Sequence, residues 1–111
     1  MQKNIYNYLP LYVGCNVEIR KINKGGIAIE KLTPDNLKSM YSPEVSVRLF
    51  LRHLSDMSTK EMQKAESVYF EAIKEHGRGV LAYAEITNWY RDNGFDIDSL
   101  IAEGIAIQSK N

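Results

Sequence analysis

The chain has 111 residues, 44% of them hydrophobic and 25% charged, and its 14 Lys and Arg balance its 14 Asp and Glu. That length predicts one domain over residues 1–107 with a short flexible tail at 108–111, able to bury roughly 65% of its extended surface without metal or disulfide staples. Zero net charge excludes a global pull toward nucleic acid or anionic membrane. The single Cys15 excludes an internal disulfide, and with neither a signal-like leader nor an apolar run of about 18 residues the sequence predicts a cytoplasmic protein with no membrane partner.

In chain order, the aromatic stretch Met1 to Leu9 predicts a helical turn ending before Pro10. Leu11 to Ile22 alternates, with Val13, Cys15, Val17 and Ile19 on one face and Glu18 and Arg20 on the other, the period of a half-buried strand. Asn23-Lys24-Gly25-Gly26 reads as a turn, and Ile27 to Leu32 as the return strand with Ile27 and Ile29 inward. Thr33-Pro34 starts a short helix that Ser42-Pro43 stops. Val45 to Leu54 reads as a third strand, with Val45, Val47, Leu49 and Leu51 on one face and Arg48, Phe50 and Arg52 on the other.

Ser58-Thr59-Lys60-Glu61 is a capping box. The helix it opens carries Met62, Ala65, Tyr69, Ala72 and Ile73 at core spacing and stops near His76-Gly77. A second helix, from about Gly79 to Asp92, offers Leu81, Ala82, Ile86, Trp89 and Tyr90 as core. A last short helix is expected from Asp96 through Leu100 and Ile101 to Gly104, and Ile105-Ala106-Ile107 as an edge strand or extended tail. Strands early and helices late predict an α+β fold: a small, mostly antiparallel three-stranded sheet, a hairpin plus one strand, with C-terminal helices packed on one face.

Chemistry is sparse. His53, Ser55 and Asp56 adjoin, but a Ser-Asp pair before a capping box reads as turn chemistry, and adjacency alone makes no catalytic group. His53 and His76 lie far apart and no metal-ligand spacing occurs. No catalytic, cofactor or metal residue is therefore assigned, and an enzyme ranks last among the readings. Residues 1–54 carry net +4 and residues 55–111 net −4, a split expected from a basic sheet and acidic helices that neutralise each other. Arg20, Arg48 and Arg52, with Phe50 between the last two, are the candidate residues for a basic sheet face that binds nucleic acid. Seven Tyr and one Trp point instead to protein contact, with a partner or a second copy. Arg52 and His53 are the residues of the strand-to-helix corner that turn chemistry leaves unexplained.

Three phrases carry a resemblance: Leu9-Pro10-Leu11-Tyr12 with the strand after it, Leu51-Arg52-His53-Leu54-Ser55-Asp56-Met57, and Gly94-Phe95-Asp96 through Leu100-Ile101 to Ile105-Ala106-Ile107. Together the chain resembles short uncharacterised proteins encoded by phages, prophages and mobile elements of Bacteroides-related gut bacteria. In those relatives a proline stands where this chain has His53. The resemblance implies a small bacterial accessory protein, and it carries no catalytic or binding residue with it.

Overall fold

A computed structural model describes residues 3–109. Alternation holds in β1 (Asn16–Lys21), where Val17 and Ile19 are buried and their neighbours are not. It holds again in β3 (Val45–Leu51), where Val47, Leu49 and Leu51 point to the same side. Between them in sequence lie β2 (Ile27–Lys31) and a single-turn helix α1 (Pro34–Leu37), capped by reciprocal bonds between Thr33 and Asn36. After β3 come α2 (Thr59–His76), α3 (Val80–Asp92) and β4 (Ala106–Gln108).

The sheet has four strands in the order β2-β1-β3-β4. The antiparallel hairpin and third strand stand as expected, and a fourth strand is added: β4 runs parallel to β3, with Leu49 opposite Ala106 and Phe50 opposite Ile107. Parallel neighbours need a long crossover, and α2 and α3 supply it. The order therefore extends beyond the expected tail boundary. Gln108 belongs to β4 and the Ser109 amide donates to the Leu51 carbonyl at 2.6 Å, while Met1, Gln2, Lys110 and Asn111 lie outside the described residues.

The inward placement of Ile27 and Ile29 is corrected. The register pairs Glu18 with Ile29 and Arg20 with Ile27, so both isoleucines share the face of Glu18 and Arg20, opposite the core. They are 56% and 64% exposed. Turn length fixes register, and a one-residue difference exchanges the two faces of a strand.

The packing of the long helices on the sheet is also corrected. The sheet's core face is covered by Ile5, Leu9 and Tyr12 from two N-terminal 3-10 turns (Ile5–Asn7 and Leu9–Tyr12), together with Leu32, Met40 and Leu100. The second turn has Pro10 near its start, where a missing amide costs nothing, so the chain coils through the proline and β1 begins only at Asn16. The long helices pack against each other and meet the sheet domain where α3 reaches the Leu9–Tyr12 turn. The resulting hairpin gives the molecule its 52 × 30 × 25 Å shape.

The expected last helix is a run of turns. The Asp96 carboxylate accepts the amides of Asp98, Leu100 and Ile101 at 3.2, 2.9 and 2.9 Å, bonds that hold the turns together although no helix follows them. Ser99 sits at φ 61, a left-handed conformation that interrupts helical repetition at once. β3 likewise stops at Leu51, short of the expected Leu54. Arg52 makes an isolated parallel bridge to Phe95, and Leu54–Asp56 forms a 3-10 turn.

Candidate interaction surface

The corner between β3 and α2 is a latch. The Ser58 hydroxyl accepts the Glu61 amide at 3.1 Å, and Glu61 Oε1 accepts the Ser58 amide at 2.9 Å. The same carboxylate accepts two bonds from Arg52, at 2.7 Å on Oε2 and 2.9 Å on Oε1. A planar fork meeting a carboxylate twice is the strongest common form of ion pair. The Arg52 guanidinium, with the Ser58 amide, holds the Glu61 carboxyl down at about 2. The Glu61 bond in turn raises the Arg52 pKa. Arg52 also lies over the Phe95 ring, 4.5 Å from its centre, and its backbone amide and carbonyl pair with Gly94 and Asp96 at 2.8 Å each.

The four residues singled out by sequence do not converge on one patch. Arg48 bonds Glu18 at 3.0 Å, and Arg20 approaches the same carboxylate at 3.7 Å. Arg52 is committed to Glu61, and half-buried His53 precedes the 3-10 turn without capping it. Phe50 is half-buried on the outer face, opposite Ile107. What remains toward solvent is Arg20 and Arg48 with an acidic side chain between them.

A second latch ties the N-terminal turn to the hairpin. The Tyr12 hydroxyl donates to Asp98 Oδ2 at 2.7 Å, and Arg91 donates to both Asp98 oxygens at 3.2 and 3.1 Å. Lys3 donates to the Asp98 carbonyl. Burial disfavours the Asp98 charge, yet the Arg91 and Tyr12 bonds outweigh it and leave its pKa lowered. Burial, reinforced by the Asp98 carboxylate, pushes the Tyr12 hydroxyl up. Cys15 is half-buried beside Gly94, and burial together with Asp92 pushes its thiol up to about 11. It is a packing residue.

The hairpin is built with small residues inside and large ones outside. Ala65, Ala72 and Ala82, with Ile86, are its buried residues. Exposed side chains include Val80 at 83%, Tyr83 at 68%, Leu81 at 60%, Phe70 at 59% and Met62 at 48%. Leu81, Met62 and Tyr69 were expected in the core and stand exposed. The spacing predicts an apolar arc wider than one neighbouring helix can cover. One open groove lies between the two helices and another between α3 and the base. The first, of about 450 Å³, is lined by Met62, Ala65, Tyr69, Ile86 and Tyr90. The second, of about 510 Å³, is lined by Val80, Tyr83, Ile86, Tyr90 and Leu54. They share Ile86 and Tyr90, and Thr87, Arg91 and Asp98 also line the second.

The tyrosines outside the long helices serve the core and its rim. Tyr12 is fully buried, while Tyr6 and Tyr41 lean on each other at 5.4 Å and the Tyr41 hydroxyl donates to the Tyr6 carbonyl. The exposed aromatics of the hairpin are the surface that sequence reasoning missed. Phe70, Val80 and Tyr83, apolar but off the assigned stripe, were the available signal.

At the hairpin tip, Gly77 (φ 72) and Gly79 (φ 143) take backbone conformations that favour glycine and reverse the chain. His76 Nε2 meets Glu85 Oε1 at 2.8 Å, and Glu75 is 3.9 Å away. These three ligand-type atoms lie within 4.8 Å of one another, all on exposed residues. The short His76–Glu85 contact joins the end of α2 to α3 across the tip. Among the described residues no helix is long and apolar enough to cross a membrane. No family model, curated protein or solved structure matches the chain.

Proposed function

We propose that the chain is a non-enzymatic accessory protein of a phage or mobile element, acting in the bacterial cytoplasm by protein–protein contact. The observation that carries the reading is the set of large apolar side chains, Met62, Tyr69, Phe70, Val80, Leu81 and Tyr83, that the α2–α3 hairpin leaves exposed. Soluble monomers rarely expose contiguous apolar patches of more than a few hundred Å² without a partner for them. Tyr is enriched where one end of a side chain is apolar and the other wet, as at protein interfaces. The polar clusters, by contrast, are internally paired: Arg52 with Glu61, and Arg91 with Asp98.

A photo-crosslinking residue at position 83 tests this in cells, with position 24 in the β1–β2 turn as control. Adducts to protein from position 83, and none from position 24, are expected. No protein adduct at 83 sinks the reading.

A second reading, a nucleic-acid-binding regulator, is favoured by the exposure of Arg20 and Arg48 on the outer sheet face, with side chains 54% and 42% accessible. It expects binding of single- or double-stranded probes that falls steeply with salt. Unchanged fluorescence anisotropy at low salt removes it.

A further inference from the structure

We infer that the hairpin tip is a divalent transition-metal site, with His76, Glu75 and Glu85 as ligands and zinc as the ion their chemistry suits. The inference is independent of the docking reading above, since none of the three residues lines either groove.

Three donors converge from two helices. His76 is the last residue of α2, Glu75 precedes it, and Glu85 lies nine positions on, in α3. That spacing hides the cluster in the sequence, and the chain reversal at Gly77 and Gly79 assembles it. His76 Nε2 stands 2.8 Å from Glu85 Oε1 and 3.9 Å from Glu75 Oε2. Zinc holds imidazole nitrogen and carboxylate oxygen at about 2.0–2.2 Å, which sets neighbouring ligand atoms roughly 3.3 Å apart in a tetrahedron. The two separations fall about half an ångström on either side of that value, a gap that small side-chain rotations close. The same ring nitrogen meets both carboxylates, so its lone pair is available to an ion seated between them.

Charge is a second and separate observation. Two carboxylates gather on one imidazole, and among the described residues no lysine or arginine forms an ion pair with either of them. Lys74, close by on α2, pairs with Glu71 instead. A protonated imidazole leaves the trio with a net negative charge, and a neutral one leaves two charges that a single divalent ion cancels. The last carbonyls of α2 turn toward the tip, and a helix C-terminus favours a cation.

The donor set selects the ion. A ring nitrogen beside two carboxylate oxygens suits zinc and its neighbours in the first transition row, whereas calcium and magnesium favour sets made of oxygen alone. Three protein ligands leave a fourth position for water, which reaches the tip freely because the Glu75 and Glu85 side chains are 71% and 44% accessible. An ion bound there ties the end of α2 to α3 at the free end of the arm.

The test is calorimetric titration of the full chain with zinc chloride, paired with proton NMR of the imidazoles. One zinc per chain is expected, with a Kd on the order of 10 µM for three exposed ligands. The chain has two histidines, so the ring signals report on each: those of His76 should shift and those of His53 should not. His76→Ala and Glu85→Gln are each expected to weaken binding on the order of tenfold or more, and Glu75→Gln severalfold. All three positions are exposed, so the variants should keep the wild-type circular dichroism. His53→Ala should leave the affinity unchanged, and magnesium chloride should give no binding heat.

A chain with no saturable zinc binding up to about 1 mM overturns the site. Binding that survives both His76→Ala and Glu85→Gln, or that shifts the His53 ring, overturns its location. One zinc shared between two chains overturns the assignment of all three ligands to one chain, and equal binding of magnesium overturns the choice of ion. Should a variant misfold, the imidazole spectrum of the wild type still decides between the two histidines.

Discussion

Arg52 and Glu61 form the joint between sheet and helix: a guanidinium at the end of β3 takes both oxygens of a carboxylate that already caps α2. One carboxylate thus answers both a helix terminus and a half-buried cation at the end of a strand. The fork is what makes this possible. Replacing Arg52 with Ala is expected to cost roughly 2 kcal/mol of stability. Arg52→Lys, which keeps the charge but not the planar pair of donors, should recover less than half of that. Urea melts of the two variants decide it; full recovery by lysine would show that charge alone matters.

The same joint sets an acid limit. Glu61 holds its proton far less tightly in the folded chain, at about 2, than at its ordinary 4.5, and Asp98 is shifted in the same direction. A depressed folded pKa means the unfolded chain binds more protons in this range, so acid favours unfolding. Stability is expected to be complete above about pH 5 and to fall as pH drops toward 2. Glu61→Gln should lower stability at neutral pH and flatten the acid limb. Thermal melts across that range test it; an unchanged slope in the variant would remove Glu61 from the account.

Tyr12 and Asp98 make a separate tie. Tyr12→Phe removes one hydroxyl bond and should cost about 1 kcal/mol, which corresponds to a melting shift of roughly 4 °C in a domain of this size. Asp98→Ala leaves both Tyr12 and Arg91 without their shared acceptor and should cost roughly 2–3 kcal/mol. If the two losses are equal, the Arg91 bonds contribute nothing measurable.

Cys15 should be a slow nucleophile. With its thiol pushed up to about 11, alkylation of the folded chain near neutral pH is expected to run on the order of a hundredfold slower than in urea. Equal rates would mean that the Gly94 segment opens readily around it.

What could be read from the residues was local. Ser58 and Glu61 announce the start of α2, and Val17 and Ile19 announce β1, because the signal sits within a few positions. The faces of Ile27 and Ile29 depend on how many residues the Asn23–Gly26 turn region consumes, which alternation does not encode. β4 falls on the run that alternation left open as edge strand or tail, and its pairing with Leu49 and Leu51 across the sheet decides for the strand. Met62, Tyr69 and Leu81 have the spacing of a core, yet α2 and α3 have only each other, and the alanines claim the seam. Of the four candidate residues, Arg20 and Arg48 share the outer sheet face with Glu18, while Arg52 lies past the end of β3 and turns to α2. The sequence could not show that Glu18 and Glu61 engage them.

The alanine seam has a consequence for how the molecule breathes. A buried alanine excludes little water, so each turn of the hairpin adds little cohesion, whereas Leu49 and Leu51 in the base are fully buried. Amides in the middle of α2 should then exchange with deuterium well before those of β3, through opening of the arm while the base stays shut. A ligand seated on the arm would slow that exchange without touching the base, which makes the hairpin its own reporter.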